Sequence, residues 1–240
     1  MIDRLSPAKR PSGRADGFQN WRSLLFLHWP IPIEAMRRVV PPELSLDLYE
    51  GVAYVGVVPF VMKDVRPRWL PRRFSFSFLE TNVRTYVHDG KRAGVYFFSL
   101  DASSRLAVCA ARLGWSLPYY FADMQIEEDS DKVLYKTRRT KSAATLSVQY
   151  EIRESMGTSQ PDTLEHFLLE RYLLFTKRRD KIVVGQVHHT PYPVHAVDVH
   201  ELEDKLVAAA GLPSCDTPPA FAHYSPGVDV EVFGLKEVST

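Results

Sequence analysis

Residues 79–87 read Leu79-Glu80-Thr81-Asn82-Val83-Arg84-Thr85-Tyr86-Val87. Successive side chains of a strand point to opposite faces, so parity sorts this stretch into two surfaces. Leu79, Thr81, Val83, Thr85 and Val87 form a β-branched, mostly apolar face, while Glu80, Asn82, Arg84 and Tyr86 form a continuous polar one. Such a polar row is either the outside of a sheet facing water or the inside of a barrel facing a ligand. The opposite face holds only two valines, two threonines and a leucine, so burial on both sides suits the sequence as well as exposure does. As pocket groups the four differ in chemistry. Arg84 offers a planar fork of donors for a carboxylate, Glu80 a proton carrier, and Asn82 and Tyr86 partners for a carbonyl or hydroxyl.

Outward from this strand, His88-Asp89-Gly90-Lys91 reads as a turn and Gly94 to Asp101 as the second arm of a hairpin. Upstream, Trp21 to Trp29 reads as a buried strand that Pro30 and Pro32 force out of the ladder. A short helix through Ile33, Met36, Val39 and Val40 stops at Pro41-Pro42, and Gly51 to Met62 returns to strand. Downstream, Ser103 or Ser104 caps a helix through Leu106, Cys109, Ala110 and Leu113, ended by Gly114. Tyr120 to Glu127, Lys132 to Arg139 and Ala144 to Ile152 follow as a meander. Pro161 to Tyr172 reads as a helix and Ile182 to His189 as a strand. A helix opens at Asp198 with Glu201 completing a capping box and ends at Gly211 and Pro213; a last strand covers Val228 to Leu235. Strands outnumber helices and no regular βα alternation is present. The expected class is α+β, a mostly antiparallel, closed or nearly closed β-barrel-like sheet with a few peripheral helices.

A chain of 240 residues sits at the top of the roughly 200–250 residues that such sheets fill as one domain. Residues 1–17 carry Arg4, Lys9, Arg10 and Arg14 among Pro7, Pro11 and Gly13, with no apolar segment of the kind a signal peptide needs. They read as a disordered tail ahead of a single domain over 18–240. The longest nearly apolar run, Gly51 to Met62, is 12 residues, short of the roughly 20 that a membrane-spanning helix requires. Thirty basic residues against 29 acidic ones, a net charge of +1, give no field for gathering phosphates along a nucleic acid. Cys109 and Cys215 form no CxxC pair and read as structural thiols of a reducing compartment. The expectation is a cytoplasmic protein without nucleic-acid or membrane partners, its oligomeric state left open.

His188, His189, His195 and His200 lie near one another, but His188 and His189 point to opposite faces of a strand. No HxH or HExxH accompanies them, so no metal is expected. His28, beside Trp29, reads as a satisfied core histidine. No GxGxxG, P-loop or GxSxG sequence occurs, and no cofactor is expected. The segment Arg66 to Arg73, dense in arginine and proline, reads as a solvated loop or as a basic flap drawing an anion toward a pocket.

The segments Phe26-Leu27-His28-Trp29, Val58-Pro59-Phe60, Glu80 to Val87, Phe98-Ser99-Leu100-Asp101-Ala102, Leu117-Pro118-Tyr119-Tyr120 and Ala222 to Asp229 together resemble the YqjF-like family, domain of unknown function 2071, over about residues 18–236. The resemblance implies the acetoacetate decarboxylase-like superfamily: a β-barrel-like core, peripheral helices and an internal cavity for a small molecule. In the decarboxylases a motif Gly-Arg-Glu-x-Trp-Gly-Phe-Pro-Lys-Lys supplies the Schiff-base lysine and the neighbour that lowers its pKa. Here the stretch is Ala111-Arg112-Leu113-Gly114-Trp115-Ser116-Leu117-Pro118-Tyr119-Tyr120. Arg112, Trp115 and Pro118 match, but Tyr119 and Tyr120 replace both lysines, and a phenol forms no Schiff base. Glu80 resembles a pocket glutamate of the decarboxylases. The resemblance thus implies a retained cavity with the covalent chemistry lost. Glu80, Tyr119 and Tyr120 are the candidate catalytic residues, and Asn82, Arg84, Tyr86, Arg112 and Trp115 the candidate ligand-binding ones. The expected partner is a small anionic or carbonyl-bearing molecule. Three alternatives stand beside this: a non-Schiff-base lyase, aldolase or dehydratase with Glu80 as acid/base, a displaced Schiff-base lysine, Lys136 or Lys141, and a non-enzymatic binding or interaction module using the Arg66 to Arg73 loop.

Overall fold

In the computed structural model, which describes residues 2–109, 117–178 and 180–238, strand dominates. In chain order the elements are β1 (Gly17–Ile31), α1 (Ile33–Val39), β2 (Ser45–Leu46), β3 (Ala53–Pro67), β4 (Phe76–His88), β5 (Ala93–Ala102) and a helical segment over 105–109, α2. Then come β6 (Tyr119–Asp129), β7 (Lys132–Arg139), β8 (Thr145–Thr158), α3 (Leu164–Leu169), β9 (Leu173–Arg178), β10 (Lys181–His188), β11 (Pro193–Asp204), α4 (Leu206–Ala209) and β12 (Phe221–Glu237). The strands form one mixed sheet in the order β10-β9-β5-β6-β7-β8-β11-β12-β1-β3-β4-β2, with further ladders joining β10 to β12 and β5 to β4. β5 runs parallel to β6 and β9. Parallel neighbours need a crossover rather than a tight turn, and the β5–β6 connection carries α2.

β4 lies between β3 and β5, with Phe60 opposite Glu80 on one side and Ala102 opposite Glu80 on the other. Both of its faces are buried. Val83 and Val87 enter a large apolar cluster with Leu25, Leu27, Val55 and Val57. The two threonines of that face satisfy their hydroxyls at once, Thr81 with Thr137 at 2.8 Å and Thr85 by donating to the Tyr54 carbonyl at 2.8 Å. Unpaired, each would cost on the order of 1–3 kcal/mol. The opposite face looks toward a second cluster that includes Leu24, Phe26, Val58, Phe60 and Met62.

Several elements differ from the sequence reading. Pro30 and Ile31 still pair with Tyr54 and Ala53, so the chain leaves the β1–β3 ladder only at Pro32, which caps α1. The helix expected from Asp198 is strand β11, and only Leu206–Ala209 is helical. The β-branched Val194, Val197 and Val199 suit the ladder with β8, and the cap is Asp204, whose carboxylate accepts from Leu206 and Val207 N–H at 3.1 Å each. α3 is shorter than expected because Thr163 caps it, accepting from His166 N–H at 3.2 Å, and the chain then turns into β9, a strand the sequence reading missed. Ser104 supplies the α2 cap, accepting from Ala107 N–H at 3.3 Å, while Ser103 accepts from Leu79 N–H.

Residues of the segment read as a tail contact the sheet. Arg4 pairs with Asp47 at 2.5 Å, Arg10 with Glu231 at 2.6 Å, and Gln186 donates to the Pro7 carbonyl at 2.9 Å. Basic residues that composition alone assigns to solvent are anchors for acids on the sheet. Cys109 is exposed and Cys215 packs against the larger cluster, so the structural reading suits only the second thiol.

Candidate functional site

A cavity of about 420 Å³ opens beside the polar face of β4. Glu80, Asn82 and Arg84 contribute to its wall from alternate positions of that strand, Tyr119 from the start of β6, and Arg171 and Tyr172 from the turn after α3. Phe26, Val58, Phe60 and Met62 of β1 and β3 supply apolar wall.

Glu80 is 2% exposed, and the Tyr119 hydroxyl donates to its Oε2 at 2.7 Å. Burial pushes the Glu80 pKa up to about 8; the Tyr119 hydrogen bond opposes this and the charge of Asp101 adds to it. Burial also drives the Tyr119 phenol well above its ordinary range, with Glu80 contributing. Both groups are therefore neutral at pH 7, and the Glu80 carboxyl holds a proton of its own to donate. The strand pair that carries Glu80 is pinned by Tyr135, whose hydroxyl donates to the carbonyls of Glu80 at 3.0 Å and Phe60 at 3.2 Å. Asp101 is fully buried and accepts from Arg139 at 2.8 and 3.1 Å. Burial raises its pKa although Arg139 counters it.

Arg84 donates through Nη2 to the Leu168 carbonyl at 3.0 Å and lies 5.5 Å from the Phe26 ring centre. Its Nε, the Oδ1 of Asn82 and the Nη2 of Arg171 are buried and have no hydrogen-bond partner among the described residues. Buried polar groups are normally paired. With Arg66 Nε, four such unpaired atoms belong to residues that line this one cavity. Arg171 pairs with Asp47 at 3.0 Å and donates to the Phe167 carbonyl at 2.8 Å; burial lowers its pKa to about 10, so it stays cationic.

Tyr86 continues the polar row but does not line the cavity. Its hydroxyl donates to the Leu168 carbonyl at 2.7 Å and lies 2.8 Å from His28 Nε2. The phenol has one proton, so the imidazole brings the other, and His28 is the Nε2–H tautomer. Burial, then the charges of Arg84 and His223, holds His28 neutral far below its usual pKa. His28 is thus a core histidine with one nitrogen satisfied and Nδ1 without a partner.

Tyr120, adjacent to Tyr119, faces away by strand alternation. It is 37% exposed, with the Arg139 guanidinium 3.9 Å from its ring centre. The structure brings Glu80, Asn82, Arg84 and Tyr119 to one cavity and leaves Tyr86 and Tyr120 off it. Arg112 and Trp115 lie outside the described residues. Lys136 and Lys141 are exposed and absent from the cavity wall. Arg66 lines the cavity with its guanidinium 4.4 Å from the Phe18 ring centre, whereas Trp69 in the same loop is 79% exposed.

Arg171, Tyr172, Tyr192 and Trp21 are wall residues that the sequence reading did not assign. A signal for the first was present: Glu170-Arg171 interrupts the apolar run from Phe167 to Phe175, where charge has no place without a partner. Glu170 accepts from the Tyr172 hydroxyl at 2.5 Å and from the Tyr192 backbone N–H at 2.9 Å, which fixes the Tyr172 ring and the chain at Tyr192. His189 packs 4.5 Å from Tyr172 and 4.6 Å from Tyr192, its pKa lowered by burial to about 4. Among the described residues no three His, Cys, Asp or Glu side chains converge as metal ligands, and no helix is long and apolar enough to cross a membrane.

The fold is that of the acetoacetate decarboxylase-like proteins. The enduracididine biosynthesis enzyme MppR complexed with pyruvate superposes with a TM-score of 0.66 at 10% identity, covering 96% of this chain and 93% of that one. Acetoacetate decarboxylase from Legionella pneumophila gives 0.64 at 12% identity, covering 97% and 92%. Within this fold class, the model of domain of unknown function 2071, described as an uncharacterized conserved protein, matches residues 18–229, and the chain belongs to that family. It is 35% identical over 223 residues to the uncharacterized protein YqjF of Bacillus subtilis strain 168, covering 92% of each chain.

Proposed function

We propose that this chain binds a carboxylate- or carbonyl-bearing molecule in the cavity beside β4 and handles it without a Schiff base. The observation that carries the reading is Glu80, protonated at neutral pH through burial, beside the unpaired Asn82 Oδ1 and Arg84 Nε. With Glu80 neutral, the wall sets Arg66, Arg84 and the Asp47-paired Arg171 against Asp16, and a carboxylate entering it gains a charge-assisted partner in Arg84. No lysine is among the described residues of the wall, in keeping with Tyr119 and Tyr120 standing where the decarboxylase motif has lysines. A closed, barrel-like course of the sheet supports an internal site: the ladders run from β5 through β6, β7, β8, β11, β12, β1, β3 and β4 back to β5. The pyruvate held by MppR, a protein of the same fold, makes 2-oxo acids the first class to try. A thermal-shift screen of 2-oxo, hydroxy and dicarboxylic acids against wild type and Arg84→Ala tests the reading. A shift in wild type that is lost in the variant supports it; no shift with any acid overturns it.

A second reading adds catalysis, and the Glu80 pKa of about 8 favours it, since a proton carrier works best when its pKa lies near the working pH. The ionised fraction of Glu80 then takes a proton from the carbon beside the ligand's carbonyl and, once protonated, returns one, while Arg84 stabilises the enolate charge, as an aldolase- or dehydratase-type reaction requires. Proton NMR in deuterated water reads it directly. Wild type exchanges the C3 protons of a bound 2-oxo acid and Glu80→Gln does not; equal rates in both remove Glu80 from the role.

A further inference from the structure

The cavity is graded along its length. On β4 the positions that line it run Phe76, Phe78, Glu80, Asn82, Arg84, and exposure falls from 37% at Phe76 to 8% at Phe78 and 2% at Glu80. On β4 the outer wall is therefore aromatic and the polar groups lie at the closed end. β3 faces it with Val58, Phe60 and Met62 along the wall, and Arg66, with Asp16 and Gln19, stands at the rim. At about 3.3 Å per residue, Phe78 and Asn82 are roughly 13 Å apart along the strand.

A volume of about 420 Å³ is that of roughly fourteen waters at about 30 Å³ each. A three-carbon keto acid held at Arg84 would leave most of that apolar length filled with water, which aromatic walls disfavour. We infer that the ligand is an amphipathic acid, resting on the binding reading above. Its carboxylate or 2-oxo acid head meets Asn82 and Arg84, and an apolar body of roughly eight to ten non-hydrogen atoms lies along Phe60, Met62 and Phe78 toward the opening. The head points inward because Asn82 and Arg84 are both buried and leave an acceptor and a donor unpaired side by side; Arg66 Nε at the opening is unpaired too, but it stands alone on a half-buried side chain whose guanidinium packs on Phe18.

The test is calorimetric titration of straight-chain 2-oxo acids, from about four to about fourteen carbons, into wild type, Arg84→Lys, Arg66→Ala and Met62→Trp, with the matching primary alcohols as controls. Affinity rises by up to about fourfold per added methylene, the value of burying one CH₂, then levels at about ten to twelve carbons, two of them in the head. Arg84→Lys weakens the whole series at least severalfold, Arg66→Ala weakens it less than Arg84→Lys does, and Met62→Trp moves the plateau to shorter chains while short acids still bind. Acids that bind with no dependence on chain length overturn the amphipathic ligand and leave the binding reading standing. Loss on Arg66→Ala with Arg84→Lys unaffected, or alcohols binding as tightly as acids, overturns the inward head. Binding of no acid overturns both this inference and the reading it rests on.

Discussion

Replacing Glu80 by glutamine tests the buried, protonated carboxyl through stability alone, with no ligand required. The fold raises the Glu80 pKa from an ordinary 4.5 to about 8. A raised carboxyl pKa means that the folded state keeps its proton longer, so its contribution is full below pH 4.5 and is lost as pH climbs toward 8. At 1.36 kcal/mol per unit, the whole loss is roughly 4–5 kcal/mol. Glutamine keeps the acceptor for Tyr119 and never ionises. The unfolding free energy of Glu80→Gln minus that of wild type therefore grows by about 4 kcal/mol between pH 5 and pH 9, about 2–3 of it by pH 7. Groups common to both proteins, and any constant effect of the amide, cancel in that change. Urea denaturation of the two proteins at pH 5, 7 and 9 measures it. A difference that stays constant across the three pH values refutes a carboxyl held neutral by the fold.

Arg139→Met leaves the Asp101 carboxyl buried without its partner and lowers stability by about 3–5 kcal/mol; the double variant with Asp101→Asn recovers most of it in the same denaturation assay. Tyr119→Phe removes the donor that stabilises the ionised Glu80, so the Glu80 midpoint followed by carboxyl ¹³C NMR moves above about 8. Gly227 has φ +127°, and a Cβ there would lie 2.0 Å from the Trp21 carbonyl oxygen. Gly227→Ala therefore shifts β12 on β1 and lowers the thermal midpoint, by the equivalent of about 1–3 kcal/mol.

The sheet was legible where alternation is strict. β4 with β5, and β6, β7 and β8, could be read from parity and turn residues, because each strand buries one apolar row. β11 was not, since Asp198 and Glu201 have the spacing of a capping box and Leu202 and Leu206 that of a helical stripe. The ladder with β8 outweighs that local preference. The polar face of β4 was readable as a row, but which members reach the cavity depends on long-range packing. Tyr86 is drawn aside by the Leu168 carbonyl and His28, from α3 and β1; Tyr120 of β6, by contrast, faces away from Tyr119 by alternation and packs on Arg139 of β7. Arg171 escaped notice because its partner Asp47 lies far away in sequence.

The most direct measurement is the affinity of the best-binding 2-oxo acid for wild type and Glu80→Gln, by calorimetry at pH 6.5 and pH 9.5. With Glu80 titrating near 8, its ionisation at the higher pH sets a negative charge against the ligand carboxylate. Wild-type affinity then falls by up to about thirtyfold, the factor by which the protonated fraction drops, while Glu80→Gln changes little. Equal affinity of wild type at both pH values, or the same decline in both proteins, contradicts a neutral Glu80 at the centre of an acid-binding site.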